Sequence, residues 1–122
     1  MITEDRVTFE IAKLLRDKGF PQNTFEIDCN VCYKYNGKLC NNAKSMSGVD
    51  REISYMAPTL QMVRKWLREV HKIDVTITPD RKENYTAMIF VNKELPFTSI
   101  GSFQTYEKAC EAAIKYILEN LI

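Results

Sequence analysis

The sequence predicts an α+β fold in which helices cover one face of an antiparallel sheet. Three stretches carry apolar residues at helical spacing, and stretches between them alternate polar and apolar residues with a period of two. Successive strands follow one another without an intervening helix, which favours antiparallel pairing. The predicted order is α-β-β-(β)-α-β-β-β-α.

The chain is predicted to be a single domain of residues 1–122 with two segments. Its 122 residues, of which 45% are hydrophobic, supply enough apolar side chains for one core. Residues 1–57 are expected to hold a helix and a hairpin, and residues 58–122 the α-β-β-β-α run.

The first helix is predicted over residues 3–18. Thr3 is a candidate N-cap, and apolar residues recur from Val7 onward at helical spacing. Gly19 can adopt the left-handed conformation that ends a helix, and Pro21 prevents continuation.

A hairpin is predicted after the first helix. Alternation over residues 24–35 predicts a long strand with one buried face, and Asn36-Gly37 favours a type I′ turn because both residues accept positive φ. Residues 38–40 are then the returning strand, residues 41–52 a loop, and residues 53–56 a short strand.

The second segment is predicted to open with a helix. Pro58 suits a first-turn position, and Met62 and Trp66 widen the apolar stripe on the buried side. The stripe consists of Leu60, Val63, Leu67 and Val70. The core is predicted to place the first three of these against Ile89, Val91, Ala113 and Ile117.

Three strands and a last helix complete the second segment. The strands are predicted over residues 73–78, 85–92 and 97–103. The middle strand is apolar on both sides, with Met88 and Phe90 on the second, so it is predicted to be central with a covered second face. Thr105 caps the last helix.

The four cysteines are interpreted as thiols. Cys29 and Cys32 have CxxC spacing, and Cys40 and His71 could serve as further zinc ligands. In an alternating strand, however, Cys29 and Cys32 point to opposite faces and cannot chelate one ion. The favoured interpretation makes Cys29 and Cys110 small buried hydrophobes. Cys32 and Cys40 are then surface or hairpin thiols, and no metal or other cofactor is expected.

The sequence carries no catalytic motif. It contains no GxSxG, HExxH, P-loop or paired-carboxylate pattern. His71, the only histidine, is placed near the end of the second helix, where an imidazolium interacts favourably with the helix dipole. A non-enzymatic protein is expected, and an active site assembled from residues distant in sequence is the alternative.

Basic residues gather on one side of the second helix and in a later turn. They are Arg64, Lys65, Arg68 and Lys72 on the helix and Arg81 and Lys82 in the turn. One interpretation is that this group binds the phosphates of nucleic acid. The alternative is that it forms the solvated face that every amphipathic helix carries.

The net charge favours no polyanionic partner. The chain has 17 Lys and Arg against 16 Asp and Glu, so a charge of +1 attracts neither nucleic acid nor anionic membrane from a distance. No apolar run approaches the roughly 18 residues of a membrane span, and Glu4 and Asp5 stand where a signal peptide carries positive charge. A cytoplasmic location without membrane attachment is expected.

Two stretches resemble a known group of proteins. They are residues 57–71, Ala-Pro-Thr-Leu-Gln-Met-Val-Arg-Lys-Trp-Leu-Arg-Glu-Val-His, and residues 105–113, Thr-Tyr-Glu-Lys-Ala-Cys-Glu-Ala-Ala. Both are similar to small proteins of unknown function encoded by bacterial phages and prophages. The resemblance implies a mobile-element origin in a bacterial cytoplasm and implies no activity.

The second segment is also similar in topology to a double-stranded-RNA-binding domain. Residues 58–121 follow the element order and approximate length of that family, which reads duplex shape through phosphates and 2′-hydroxyls. The family places a lysine cluster at the start of its last helix, where this chain has Tyr106-Glu107-Lys108. Duplex RNA binding is disfavoured because Glu107 would face phosphate.

The resulting hypothesis is a non-catalytic, phage-derived accessory protein that acts by binding another macromolecule. A protein partner or a second copy of the chain is the favoured target. The alternative is an RNA- or DNA-binding module that uses the basic side of the second helix.

Overall fold

The described residues of a computed structural model, 4–23, 26, 29–40, 54–80 and 83–122, form three helices and six strands. The strands make two three-stranded antiparallel sheets, so the predicted α+β class is confirmed. In chain order the elements are α1 (Phe9–Asp17), β1 (Cys32–Tyr33), β2 (Leu39–Cys40), β3 (Tyr55–Met56), α2 (Leu60–Val70), β4 (Ile73–Pro79), β5 (Tyr85–Val91), β6 (Glu94–Phe103) and α3 (Tyr106–Asn120).

The chain divides into two compact units. One consists of Arg6–Thr59, and the other of Leu60–Ile122 together with the described N-terminal residues Glu4 and Asp5. The backbone N–H of Leu60 donates to the carbonyl of Asp5 at 3.0 Å, which ties these N-terminal residues to the start of α2.

Helix α1 begins later than the sequence predicts. The predicted N-cap, Thr3, lies outside the described residues. The observed N-cap is Thr8, whose Oγ1 accepts the N–H of Ile11 at 3.3 Å. The backbone N–H of Val7 donates to the carbonyl of Pro58 at 3.0 Å. Because the N–H of Val7 already bonds to a distant carbonyl, it is not available for a helical hydrogen bond, and α1 begins after Val7.

The predicted end of α1 is confirmed. Gly19 has a φ of +91°, and its N–H donates to the carbonyl of Arg16 at 3.2 Å. The N–H of Phe20 reaches back to the carbonyl of Leu15 at 2.9 Å, and the Phe20 side chain is buried. This is the Schellman arrangement, in which orphan carbonyls of the last turn are satisfied.

The first sheet has the order β2-β1-β3 and is short. The predicted strand over residues 24–35 was wrong in length, because only Cys32–Tyr33 forms a paired strand among its described residues. Upstream of it, residues 29–31 belong to no strand, and the Sγ of Cys29 lies 3.4 Å from the carbonyl oxygen of Val31. The alternation therefore does not continue through Cys29. The predicted short strand before α2 is present as β3.

The β1–β2 hairpin forms where Asn36-Gly37 predicts one, but its turn is not type I′. The N–H of Gly37 donates to the carbonyl of Lys34 at 2.8 Å, and the N–H of Lys34 donates to the carbonyl of Lys38 at 2.9 Å. Of the two turn residues only Gly37 has positive φ, at +85°. This pattern is a type I turn followed by a glycine bulge.

The second unit packs α2 and α3 against a sheet of order β4-β5-β6. Helix α2 begins at Leu60, two residues after Pro58, and its last residue, Val70, is 60% exposed, so the predicted stripe ends before it. Oγ1 of Thr105 accepts the N–H of Lys108 at 3.1 Å, which confirms the predicted cap of α3. The buried side chains of the helices are Leu60, Val63, Leu67, Ala109, Cys110, Ala113, Ile114, Ile117 and Leu118.

A two-residue turn joins β5 to β6 where the sequence predicts a four-residue loop. Val91 pairs with Glu94, so only Asn92 and Lys93 connect the strands. Their φ values are +55° and +59°, which is the type I′ geometry expected at Asn36-Gly37. Strand β6 consequently starts three residues before its predicted start.

Candidate functional site

The β4-β5-β6 sheet has one face covered by helices and one face that no described element of its unit covers. Cross-strand partners share a face, so the register assigns each side chain. Val75, Ala87 and Ile89 are buried on the helix-covered face. Val91, predicted to lie in this core, is 42% exposed because it ends its strand at the turn.

We call the opposite side the open face. It carries Asp74, Thr76 and Thr78 from β4, Thr86, Met88 and Phe90 from β5, and Phe97 and Ser99 from β6. Met88 pairs with both Thr76 and Ser99, which places it at the centre.

Two aromatic rings form the apolar part of the open face. The ring centroids of Phe90 and Phe97 lie 5.3 Å apart at an interplanar angle of 37°. Phe97 is 43% exposed, and Met88 and Phe90 are half-buried. The predicted central position of β5 is confirmed. Neither α2 nor α3 provides the predicted cover of its second face, because both helices pack on the other side of the sheet.

The open face is nearly uncharged. Asp74 is its one ionisable side chain among those described, and no lysine or arginine lies on it. The remaining polar groups are hydroxyls. Such a surface can bury apolar area and exchange neutral hydrogen bonds, but it cannot neutralise phosphates.

Arg64, the first member of the predicted basic group, is held inside its own unit. Its Nη1 donates to the hydroxyl of Tyr106 at 2.7 Å, and its Nη2 donates to the carbonyl of Val75 at 2.7 Å. The guanidinium thus joins α2 to β4 and α3. Its charge also partly offsets the burial that raises the pKa of the Cys110 thiol to about 11.

The other basic residues are distributed unevenly. Lys65 and Arg68 are exposed on α2, and Nζ of Lys72 donates to the carbonyl of Glu69 at 3.0 Å. Arg81 and Lys82 lie outside the described residues. The predicted group therefore presents two exposed side chains on α2, with Lys72 just beyond the helix.

The cysteine prediction needs one correction. Cys29 and Cys110 are buried as predicted, but Cys32, predicted to face away from the core, is also fully buried. It sits on the central strand of the first sheet, between Cys40 on β2 and Met56 on β3. Within the described part of the chain, no three metal-ligating side chains are grouped closely enough to hold an ion.

His71 follows the last residue of α2, as predicted. Its ring meets the Trp66 ring edge-on with centroids 4.6 Å apart. Its Nε2 is buried and has no hydrogen-bond partner in the described structure. The contact orients the imidazole against the indole ring of Trp66.

One acidic side chain of α3 is perturbed. Burial raises the pKa of the Glu111 carboxyl above its usual value, and the negative charge of Asp5 raises it further. Glu107 is exposed in the first turn of α3, where a carboxylate is favoured by the helix dipole.

Sequence reasoning missed the structural role of Arg64 and the exposure of Phe97. For Arg64 the only available signal was its place at the edge of the apolar stripe of α2. For Phe97 the signal was the alternation of Phe97 and Ser99 with Thr98 and Ile100. Alternation separates two faces without saying which of them meets the helices.

No protein-family model matches the sequence, and no curated protein or solved structure is significantly similar to it. None of the described helices is long and apolar enough to cross a membrane.

Proposed function

We propose that the protein is a non-catalytic accessory protein, encoded by a phage or another mobile element, that binds a second protein in the bacterial cytoplasm. The binding surface is the open face. The observation that carries the proposal is the ring contact between half-buried Phe90 and exposed Phe97, on a face whose described side chains include one acid and no base.

The chemistry of the open face favours a protein over a polyanion. Aromatic and methionine side chains are enriched at the cores of protein interfaces, where charged side chains are depleted. Phe97 and Met88 match the first tendency, and the hydroxyls of Thr76 and Ser99 resemble a polar rim. Nucleic acid, in contrast, requires basic side chains at the contact.

The size of the open face favours one short segment over a second whole copy. Three strands about 4.8 Å apart, with about seven residues at about 3.3 Å each, span roughly 14 by 23 Å. That is about 300 Å², well below the roughly 800 Å² that each partner of a stable complex buries. One helix, roughly 10–12 Å across, fits this width. The occupant we propose is an amphipathic helix of the partner protein.

Site-specific photo-crosslinking in bacterial cells that express the protein tests this proposal. A photoreactive residue replaces Ser99, which is exposed on the open face, and a matched control replaces Val70, which is exposed on α2. We expect a specific adduct from position 99 that Phe97→Ser abolishes. No adduct is expected from position 70. The adduct peptide should be an amphipathic helix.

Three results would contradict the proposal. An adduct that survives Phe97→Ser would show that the open face does not determine binding, and no adduct from position 99 would show that nothing occupies it. An adduct between two copies of the chain would show that the open face mediates self-association and does not bind a separate partner protein.

The nucleic-acid alternative rests on the exposed Lys65 and Arg68 of α2. They supply about two phosphate contacts, which leaves affinity near the weak non-specific range of about 10⁻⁴–10⁻⁶ M at physiological salt. Titration with duplex RNA at about 150 mM salt is the test. Sub-micromolar binding abolished by Lys65→Glu and Arg68→Glu together would make this alternative the function.

A further inference from the structure

The β1–β2 hairpin places two thiols directly opposite each other. Cys32 and Cys40 are cross-strand partners in an antiparallel pair, two positions from the Lys34–Lys38 hydrogen bond that closes the turn. Their side chains therefore leave the same face of the sheet. All four cysteines of the chain are present as thiols.

The backbone geometry of this pair suits a disulfide. Opposed residues of antiparallel strands have Cα atoms about 4.5–5.5 Å apart, inside the roughly 4.4–6.8 Å range of disulfides. Bond formation between Cys32 and Cys40 thus requires rotation of two side chains and no rearrangement of the strands.

The surroundings of the two thiols assign them different roles. Cys32 is fully buried, whereas Cys40 is partly exposed at the end of β2. Burial raises the pKa of the Cys32 thiol to about 11, and the neighbouring Cys40 thiol adds to the rise. An oxidant in solution therefore reaches Cys40 first, and Cys32 acts second from within the sheet.

Cys29 is the competing thiol in this unit, and its contacts make it a poorer partner. Its Sγ lies 3.4 and 3.5 Å from the carbonyl oxygens of Val31 and Ala57, to either of which its one S–H can donate, and Nη1 of Arg6 donates to it at 3.8 Å. Cys29 lies outside the paired strands, so no register holds it opposite Cys32.

We propose that Cys32 and Cys40 are a redox modification site, closed to a reversible disulfide by a low-molecular-weight disulfide such as oxidised glutathione. The Cys40 thiolate attacks one glutathione sulfur and releases the first glutathione thiolate. The Cys32 thiolate then attacks the Cys40 sulfur and releases the second. Two cysteine thiols are oxidised, one glutathione disulfide is reduced to two thiols, and the two protons pass to the leaving thiolates.

The disulfide closes the Cys32–Cys40 loop and holds β1 to β2 covalently. Closing a loop removes conformations from the unfolded chain, so the oxidised hairpin opens less often than the reduced one. This inference does not depend on the proposed function, because it concerns the other compact unit and another chemistry.

Peptide mapping of the native full-length protein, incubated with oxidised glutathione and then alkylated, tests the proposal. We expect a Cys32–Cys40 linkage, a mass decrease of two hydrogen atoms and full reversal by a dithiol reductant. Cys32→Ala should stop the reaction at a glutathione adduct on Cys40. Cys29→Ala is the matched control and should leave the linkage intact.

Other products would overturn the proposal. A linkage of Cys29 to Cys32, a stable glutathione adduct on Cys40 of the wild-type protein, or no reaction would each do so. If Cys32→Ala fails to fold, Cys40→Ser changes a partly exposed position instead. The linkage and the adduct should then both be absent, and a glutathione adduct on Cys32 would contradict the proposed order of attack.

Discussion

Replacing Arg64 distinguishes a structural arginine from a phosphate-binding one. Arg64→Ala removes two hydrogen bonds of 2.7 Å from a charged donor, one to the Tyr106 hydroxyl and one to the Val75 carbonyl. Hydrogen bonds to charged groups contribute about 1.5–3 kcal/mol each, and the lower end applies because Arg64 is partly exposed. We expect a loss of about 3 kcal/mol in the free energy of unfolding.

Urea denaturation followed by tryptophan fluorescence measures this loss. Trp66 is the only tryptophan and lies on α2, the helix that carries Arg64, so it reports the unit in which the bonds are made. With an m-value of about 2 kcal/mol/M, the midpoint should fall by about 1.5 M. Arg68→Ala, at an exposed position of the same helix, is the control and should change stability by less than about 0.5 kcal/mol.

A double-mutant cycle isolates the Arg64–Tyr106 bond. Tyr106→Phe alone should cost about 1.5 kcal/mol, since the other bond of Arg64 remains. In Arg64→Ala the same tyrosine change should cost almost nothing, which gives a coupling of about 1.5 kcal/mol. If Arg64→Ala is no more destabilising than Arg68→Ala, or if the two changes are additive, the structural role of Arg64 is refuted.

Three further predictions concern packing, backbone conformation and pH. Leu67→Ala should cost about 2–5 kcal/mol in urea denaturation because Leu67 is fully buried, whereas Val70→Ala should change little. Lys93→Gly should raise stability by about 1 kcal/mol because a left-handed lysine is strained, and Lys93→Ala should give no such gain. Because folding raises the pKa of Glu111, the protonated carboxyl favours the folded state. This stabilisation is fully present below the pKa of the unfolded chain and is lost as pH rises through the pKa of the folded chain. Glu111→Gln should therefore be more stable than wild type near pH 7 and equal to it below about pH 4, and an advantage at both pH values would contradict this assignment.

Features governed by neighbouring residues were predictable from the sequence. The Gly19 cap, the Thr105 cap and the existence of the Asn36-Gly37 hairpin each depend on a few adjacent residues, and each is present. The fold class follows from the same local signals, because periodicity assigns helices and strands before any tertiary contact is known.

The start of α1 and the length of β1 depended on partners far along the chain. Val7 is drawn into a hydrogen bond with Pro58, 51 residues later in the sequence. Strand β1 pairs for only two residues because its neighbours β2 and β3 are equally short. Neither limit is encoded in the alternation of residues 24–35.

The candidate sites were decided by register and packing. Period-two alternation sorts the side chains of β5 and β6 into two faces, but only the packing of both helices on one side makes Phe90 and Phe97 part of the open face. Likewise the turn at Gly37 sets the register that opposes Cys32 to Cys40. In the sequence Arg64 is indistinguishable from a surface charge. In the fold its Nη1 lies 2.7 Å from the hydroxyl oxygen of Tyr106, which is 42 residues away. Such pairings depend on which distant segments come into contact, and the local spacing of residues in the sequence does not specify those contacts.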